Sequence, residues 1–531
     1  MIKFLNNKIV KTKTWYVQFL FAVCILFNAS KSFAQNTFNM ISFGAVGDGK
    51  TICTKALQTA IDSCNANGGG DVIIPQGIFI IGTVHLKSNI HLQLNAGAVL
   101  RGSIDLKDYE NFIPDTPFNP IHKGMLFTEN AENITISGEG TIDGNGDNFF
   151  NLTKAKTIGS MGTQYTRQGE NFRKVESGIG DGPVVPKDRP YQMFVFSNCK
   201  RIIIKDITIT TSPFWCMHFA DCDAVHVSGI RLWNNMLAPN ADGIDVTSCN
   251  NVIIDNCDIR AGDDALAIVG YDHHFEIPGF QHLRHESGNI LISNCNLQSA
   301  SSGIRIGFLD QNNVKNIHVS NVNITNSTRG IGIFVRDKGS LENITFENMT
   351  IETKLRTGDW WGNGEPIHIS AVRGKENVKP GQVKHVIFSN IVCKGENGML
   401  VYGSGESMIE DVSFNHIRFE LTDSKLNDVA GGNIDLRGAS IQKQLFKSDI
   451  PGLFIQYAKD ISINDFKLLW TKTRMPYFTN GIEAHHFESL SIKYFKGSAS
   501  PINKNAFRIY AEDGKDFYTD DKENTMLKQV E

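Results

Sequence analysis

The chain lacks the patterns that would mark the commoner metal and redox sites. No two cysteines are spaced CxxC and no HExxH occurs, so neither a zinc site nor a dithiol motif is indicated. Neither sign of charge is in excess: 52 Lys and Arg face 56 Asp and Glu, a net charge of −4. That balance gives no reason to expect nucleic acid or an anionic membrane as partner. Hydrophobic residues make up 41%, enough for a large core and against global disorder. No apolar run is long enough to span a bilayer. The longest candidate, WYVQFLFAVCILF at 15–27, is too short.

That run has another reading. Lys3, Lys8, Lys11 and Lys13 precede it, and SFA at 32–34 puts small residues where a signal peptidase cuts. Residues 1–34 are therefore expected to be a signal peptide cleaved before Gln35, with a short membrane anchor as the alternative. Cys24 follows the bulky Val23, which argues against a lipoprotein. The mature chain is expected to be secreted or periplasmic, with no membrane attachment, and monomeric. Of the ten cysteines, nine follow residue 34. The odd count and their recurrence at one place in a repeat point to buried packing rather than a disulfide framework.

What the chain has is a repeat. The pattern apolar-x-apolar, two polar, apolar-x-apolar recurs as RIIIKDITI (201–209), AVHVSGIRL (224–232), NVIIDNCDI (251–259), NILISNCNL (289–297) and NIHVSNVNI (316–324). NITFENMTI (343–351), HVIFSNIVC (385–393), DVSFNHIRF (411–419) and DISINDFKL (460–468) continue it, and NITISGEGTI (133–142) precedes it. Successive copies are 23, 27, 38, 27, 27, 42, 26 and 49 residues apart. Alternation over so few positions means strands with one buried face. The short steps leave no room for a packed helix and are too short for propeller blades. The fold class expected is an all-β parallel β-helix spanning 35–500, with Asn and Cys at the bends stacking as internal ladders. Residues 54–67 read as an amphipathic capping helix, with Thr54 as N-cap and Gly68 closing it. The charged, aperiodic 501–531 is expected to be a tail.

The chemistry lies in NADGIDVTSCNNVIIDNCDIRAGDDALAI (240–268). Asp242 and Asp264 are 22 residues apart, close to one bare coil, which puts them one above the other with Asp263 beside them. Gly262 lets the chain turn before the pair. A lone Asp in a solenoid is most simply a turn former, as Asp221, Asp255 and Asp258 are expected to be. The adjacent pair is different, because like charges so close must retain a proton near neutral pH. A carboxylic acid beside carboxylates is equipment for glycosidic cleavage, and a one-coil offset favours inversion. Calcium is the rival occupant of such a cluster.

These residues resemble glycoside hydrolase family 28, the polygalacturonase-like pectin hydrolases. NAD (240–242) and GDD (262–264) match the family's Asn-Thr-Asp and Gly-Asp-Asp motifs. SPFW (212–215) with His218, GTIDGNG (140–146) and FGAVGDGKT (43–51) also match. The resemblance covers about 38–500 and implies a single-stranded right-handed parallel β-helix, an O-glycosyl hydrolase without cofactor or metal, and an acidic galacturonan or rhamnogalacturonan substrate. It makes Asp263 the general acid, with Asp242 and Asp264 activating water, and puts Asn240 and His218 beside the substrate. Two positions depart. SSG (301–303) puts Ser302 where the family has histidine, and GIF (332–334) replaces Arg-Ile-Lys.

Arg305, or Arg336 and Lys338 in RDK, are candidates to replace the missing cations. The insertion at 270–287 offers His273, His274, His282 and His285; His282 or His285 is expected to stand in for the absent histidine. The insertion at 356–370 offers Trp360 and Trp361 for stacking on sugar rings, with Glu365 and His368 as weaker candidates. Such insertions favour a pocket and exo action. Two other readings remain open: a calcium-dependent polysaccharide lyase, and a non-catalytic carbohydrate-binding β-helix.

Overall fold

The computed structural model describes residues 36–112, 121–156, 163–174, 180–270, 286–440 and 443–528. The expected signal peptide, Cys24, His273, His274, His282 and His285 lie outside them.

In mid-chain each coil contributes three short strands, and each strand pairs in parallel with its counterpart one coil on. Ile244–Thr247 pairs Leu266–Val269, Asn250–Asp255 pairs Ser287–Ser293, and Asp258–Ala261 pairs Asn296–Ser299. The register follows the repeat: Val252, Ile254 and Ile259 lie opposite Ile290, Ile292 and Leu297, all buried. The inward members of each apolar-x-apolar pair form one continuous core, and the intervening residues face outward because successive side chains alternate. Towards the C-terminus two strands of a coil merge into long ones, such as Leu341–Thr353 and Val383–Gly395.

The nine described cysteines are buried and free, and Cys199, Cys222 and Cys249 stack coil on coil inside the core. The asparagines stack as well, but outside. Asn251, Asn289, Asn316 and Asn343 sit in the left-handed region at φ 54–57°, which asparagine tolerates better than other side chains. Their exposed amides bond one to the next.

The capping helix spans Thr54–Ala66 and buries Leu57, Ala60, Ile61 and Cys64 against the first coil. Thr54 is its first residue rather than its cap; the N-cap is Cys53, and the Thr54 hydroxyl accepts instead from the N–H of Gly82 at 2.9 Å. The C-terminal segment is not a tail. Ile509–Glu512 and Lys515–Thr519 pair in parallel with Ile482–Lys493, and Thr525–Lys528 extends the ladder again. Among the described residues no helix is long and apolar enough to cross a membrane.

Candidate active site

Asp242 precedes the strand Ile244–Thr247, and Asp263-Asp264 precede Leu266–Val269. Since Ile244 is registered with Leu266, position 242 lies against 264. Backbone bonds fix the match: Gly243 N–H donates to the Asp264 carbonyl at 2.9 Å, and Ile244 N–H to that of Ala265 at 3.1 Å. Glycine is required here by crowding. A Cβ on Gly262 would lie 2.1 Å from the Ala238 carbonyl oxygen, and one on Gly243 2.3 Å from that of Ala265.

One carboxylate oxygen from each of Asp242, Asp263 and Asp264 falls within 4.8 Å of the other two. Asp242 and Asp264 are buried, while Asp263 is partly exposed. Burial, then the charges of Asp263, Asp245 and Asp264, push the Asp242 carboxyl well above the usual range, with Arg305 opposing. Burial and Asp264 lift Asp263 to about 7, offset by Arg305 and by the N–H of Asn240, which donates to its Oδ2 at 3.2 Å. Asp264 is ion-paired with Arg305 Nε, and its Oδ1 accepts from the Ser302 N–H at 2.9 Å. The bend thus holds a proton on one side and a cation-paired carboxylate on the other.

The outward residues of this ladder form one column, one residue per coil: His218, Asp245, Ala267, Arg305, Gly332, His368 and Leu400. Asp245 is a fourth acid, buried, with its carboxyl held well above the usual range by burial and the neighbouring acids. Its signal was an acid on the outward position of IDVT, between inward Ile244 and Val246.

The other candidates divide. Arg305 stands where a replacement cation is expected, one coil before Gly332 and beside it. Asn240 is partly exposed, and its Oδ1 accepts from Arg189 at 2.9 Å. Arg189 was not anticipated; it also donates to the carbonyls of Pro213 and Pro239 and lies over the Phe214 ring. Trp361 is exposed.

Five candidates are placed where the expected contact fails. His218 is 1% exposed, bonds Thr247 Oγ1 at 2.9 Å, and is pushed down by burial to about 3. Ser302 is fully buried and offers Asp264 its N–H rather than a substrate its hydroxyl. Arg336 is buried, donating to the carbonyls of Val335 and Ser370 and to Ser370 Oγ. Lys338 is exposed, but three residues past the far end of Arg329–Val335, whose start lies beside Ser302; that strand is about 20 Å long at about 3.3 Å per residue. Trp360 is 1% exposed, and its Nε1–H donates to the Asp181 carbonyl at 2.8 Å.

A buried ionic group flanks the site; it includes the weaker candidates Glu365 and His368, and its other members are not singled out by the sequence. Arg329 Nε bonds Glu365 Oε1 at 2.7 Å and Glu365 meets His368 Nδ1 at 3.1 Å. Arg437 bonds Asp435 at 2.8 Å and Asp359 at 3.1 Å. Arg329 and Phe334 cover Gly332, where a Cβ would lie 2.6 Å from the Phe334 ring and 3.1 Å from Arg329 Cδ.

Comparison with known proteins bears on the family and the fold. The family model described as "Glycosyl hydrolases family 28" matches residues 64–358, more than half of the chain. A probable polygalacturonase of Vitis vinifera is 27% identical over 248 residues, 44% of this chain and 45% of its own. An exo-poly-alpha-D-galacturonosidase of Dickeya chrysanthemi is 28% identical over 252 residues, 43% and 41% respectively. The chain thus spans about half the length of the curated relatives it matches. Two solved structures share the fold: an exopolygalacturonase of Thermotoga maritima (TM-score 0.55, 19% identity, covering 83% of this chain and 93% of that one) and one of Yersinia enterocolitica (TM-score 0.57, 18%, 82% and 77%). On the match of the family model to more than half of its length, the chain belongs to glycosyl hydrolases family 28.

Proposed function

We propose that the protein is an exported hydrolase of a galacturonan-type polysaccharide, and that Asp263 is its general acid. The observation that carries this reading is the gathering of three carboxylates at one bend, their oxygens within 4.8 Å of one another. Asp263 is the partly exposed member of the cluster and is lifted to about 7, so near neutrality it has a proton to give to a leaving glycosidic oxygen. Asp242 and Asp264 hold the attacking water. The Asp264 carboxylate, paired with Arg305, takes the proton as water adds to the anomeric carbon, and Asp242 orients that water. Export rests on the residue 1–34 leader, and the secreted or periplasmic enzyme acts as a monomer without cofactor.

Stereochemistry has two supported readings. Carboxylate oxygens that all lie within 4.8 Å of one another are closer together than the roughly 6.5–9.5 Å usual between acid and base in inverting hydrolases, and nearer the roughly 5–5.5 Å of retaining ones. Against retention, the inner acids are poorly placed to bond a sugar carbon directly. Asp264 is engaged by Arg305 and the Ser302 N–H, and Asp242 is 3% exposed. A water reaches where a pyranose does not, so inversion is the reading adopted.

The test is Asp263→Asn with product analysis. The nearly isosteric change is expected to leave Tm intact and lower kcat by about 10³-fold. NMR of the first wild-type product should show the inverted anomer; a retained anomer overturns the water-activating role. An unsaturated, ultraviolet-absorbing product abolished by chelator would establish the lyase reading instead. Activity of Asp263→Asn within tenfold of wild type would remove Asp263 from its role.

A further inference from the structure

Three arginines on the C-terminal side of the acids are already engaged by the protein's own carboxylates. Arg305 is ion-paired with Asp264, Arg329 with Glu365 at 2.7 Å, and Arg437 with Asp435 at 2.8 Å and Asp359 at 3.1 Å. Each pair is largely or wholly buried, so an incoming carboxylate would have to compete with a fixed, desolvated partner. What the C-terminal side of the site offers openly is aromatic. The Arg305 guanidinium lies 5.9 Å from the centre of Phe308, Phe308 meets Trp361 edge to face at 5.8 Å, and Arg437 sits 5.0 Å from the centre of Trp361. Trp361 is held from two sides and still 38% exposed, while its neighbour Trp360 is wholly packed away. Held in place and linked through Phe308 to Arg305 beside the acids, this ring offers a face on which a sugar can stack.

We propose that the pyranose bound on this side of the acids is uncharged, stacks on Trp361, and carries at its fifth carbon a methyl ester or a simple alkyl group rather than a free carboxylate. The inference rests on the hydrolase reading above and narrows its substrate. The natural polymer is then either esterified galacturonan or a chain alternating uronate with a neutral deoxysugar, and both present the same uncharged ring.

Three oligosaccharides of equal length separate the possibilities: free-acid oligogalacturonide, its full methyl ester, and the alternating uronate–deoxysugar oligomer. At least one of the latter two should be cleaved with kcat/KM about tenfold or more above the free acid, with KM insensitive to added salt, because no surface ion pair is being screened. Trp361→Ala should lower that kcat/KM by about tenfold, mostly through KM and without loss of Tm, and Trp361→Tyr should restore it. A tenfold preference for the free acid with salt-sensitive KM overturns the inference and leaves the hydrolase reading standing, as does an unaltered KM in Trp361→Ala. No hydrolysis of any of the three defeats the hydrolase reading and the inference with it.

Discussion

Arg305 lies beside Gly332 on adjacent coils and is ion-paired with Asp264. The cation therefore belongs to the acids before it belongs to any substrate. It lowers the proton affinity of Asp242, Asp245 and Asp263, so removing it should raise all three. For Arg305→Met, both limbs of the kcat/KM–pH profile are expected to move to higher pH, with the maximum falling about 10²-fold. Arg305→Lys should recover part of the rate and most of the profile, since it keeps the charge but loses the guanidinium geometry. A profile that does not move in Arg305→Met shows that the ion pair has no part in setting the acidity of the cluster.

The wild-type profile has its own expectation. Asp263 must be protonated to act, and it is lifted to about 7, so kcat/KM should fall as pH rises through about 7. That limb reports the free enzyme, and measuring kcat alone would report the complex instead. Activity that is flat up to pH 9 would mean that Asp263 is not the acid.

The same shifts carry a cost in stability, and its sign can be worked out. The folded-state carboxyl of Asp242 is raised above its unfolded value, so above about pH 4 the unfolded chain binds fewer protons than the folded one, and stability declines as pH rises. Asp242→Asn removes this penalty. It should raise Tm by about 2 °C at pH 8, little at pH 4, and abolish turnover. Calorimetry at the two values checks it; a lower Tm at pH 8 would show that Asp242 supports the fold as an ionised group.

Much of the solenoid was legible because its two governing spacings are written in single residues. Alternation fixed which side chains enter the core, and the 22 residues between Asp242 and Asp264 fixed their stacking, since a coil cannot be much shorter. Thr54 and the segment after 500 were misjudged at the ends, where helix and strand signals weaken for want of neighbours. The site's walls were less legible still. Arg189, Asp435 and Arg437 reach it from insertions with no period, where partners as far apart as Asp359 and Arg437 meet only in space, and Arg329, on a ladder strand, finds its partner Glu365 in another insertion. Trp360 and Trp361 look equivalent in sequence; one is packed and one exposed because only Trp360 meets the Asp181 segment. His218, on the outward side of its strand, and Ser302, at the family's histidine position, are both buried by neighbouring segments that the local pattern does not reveal.

That contrast predicts opposite phenotypes for neighbouring tryptophans. Trp360 is 1% exposed and donates to a buried carbonyl, so Trp360→Ala opens a cavity and strands an acceptor. A loss of about 3–5 kcal/mol is expected, with substrate recognition impaired only as the protein unfolds. Denaturant midpoints measured beside KM separate the two effects. If Trp360→Ala raises KM at full stability, the indole contributes to the binding surface after all.

The last prediction concerns the crowding that brings the acids together. Gly262 precedes the pair Asp263-Asp264, and a Cβ there would lie 2.1 Å from the Ala238 carbonyl oxygen and 2.5 Å from that of Asn235. Both are backbone atoms on the preceding coil, so neither can swing aside as a side chain would. Gly262→Ala must therefore spread two coils at the level of the acids, and the Gly262 N–H bond to the Ala241 carbonyl, 3.0 Å, lengthens with them. Overpacking of this kind is expected to cost about 1–3 kcal/mol or more. The functional loss should be larger than the stability loss, because displacing a catalytic group by about 1 Å can cost about 10²-fold in rate. Tm and kcat measured on the same preparation decide the matter: kcat reduced about a hundredfold in a protein still folded at the assay temperature places the cause in the spacing of Asp242 from Asp263 and Asp264, whereas unchanged kcat would show that the coils can part here without disturbing the acids.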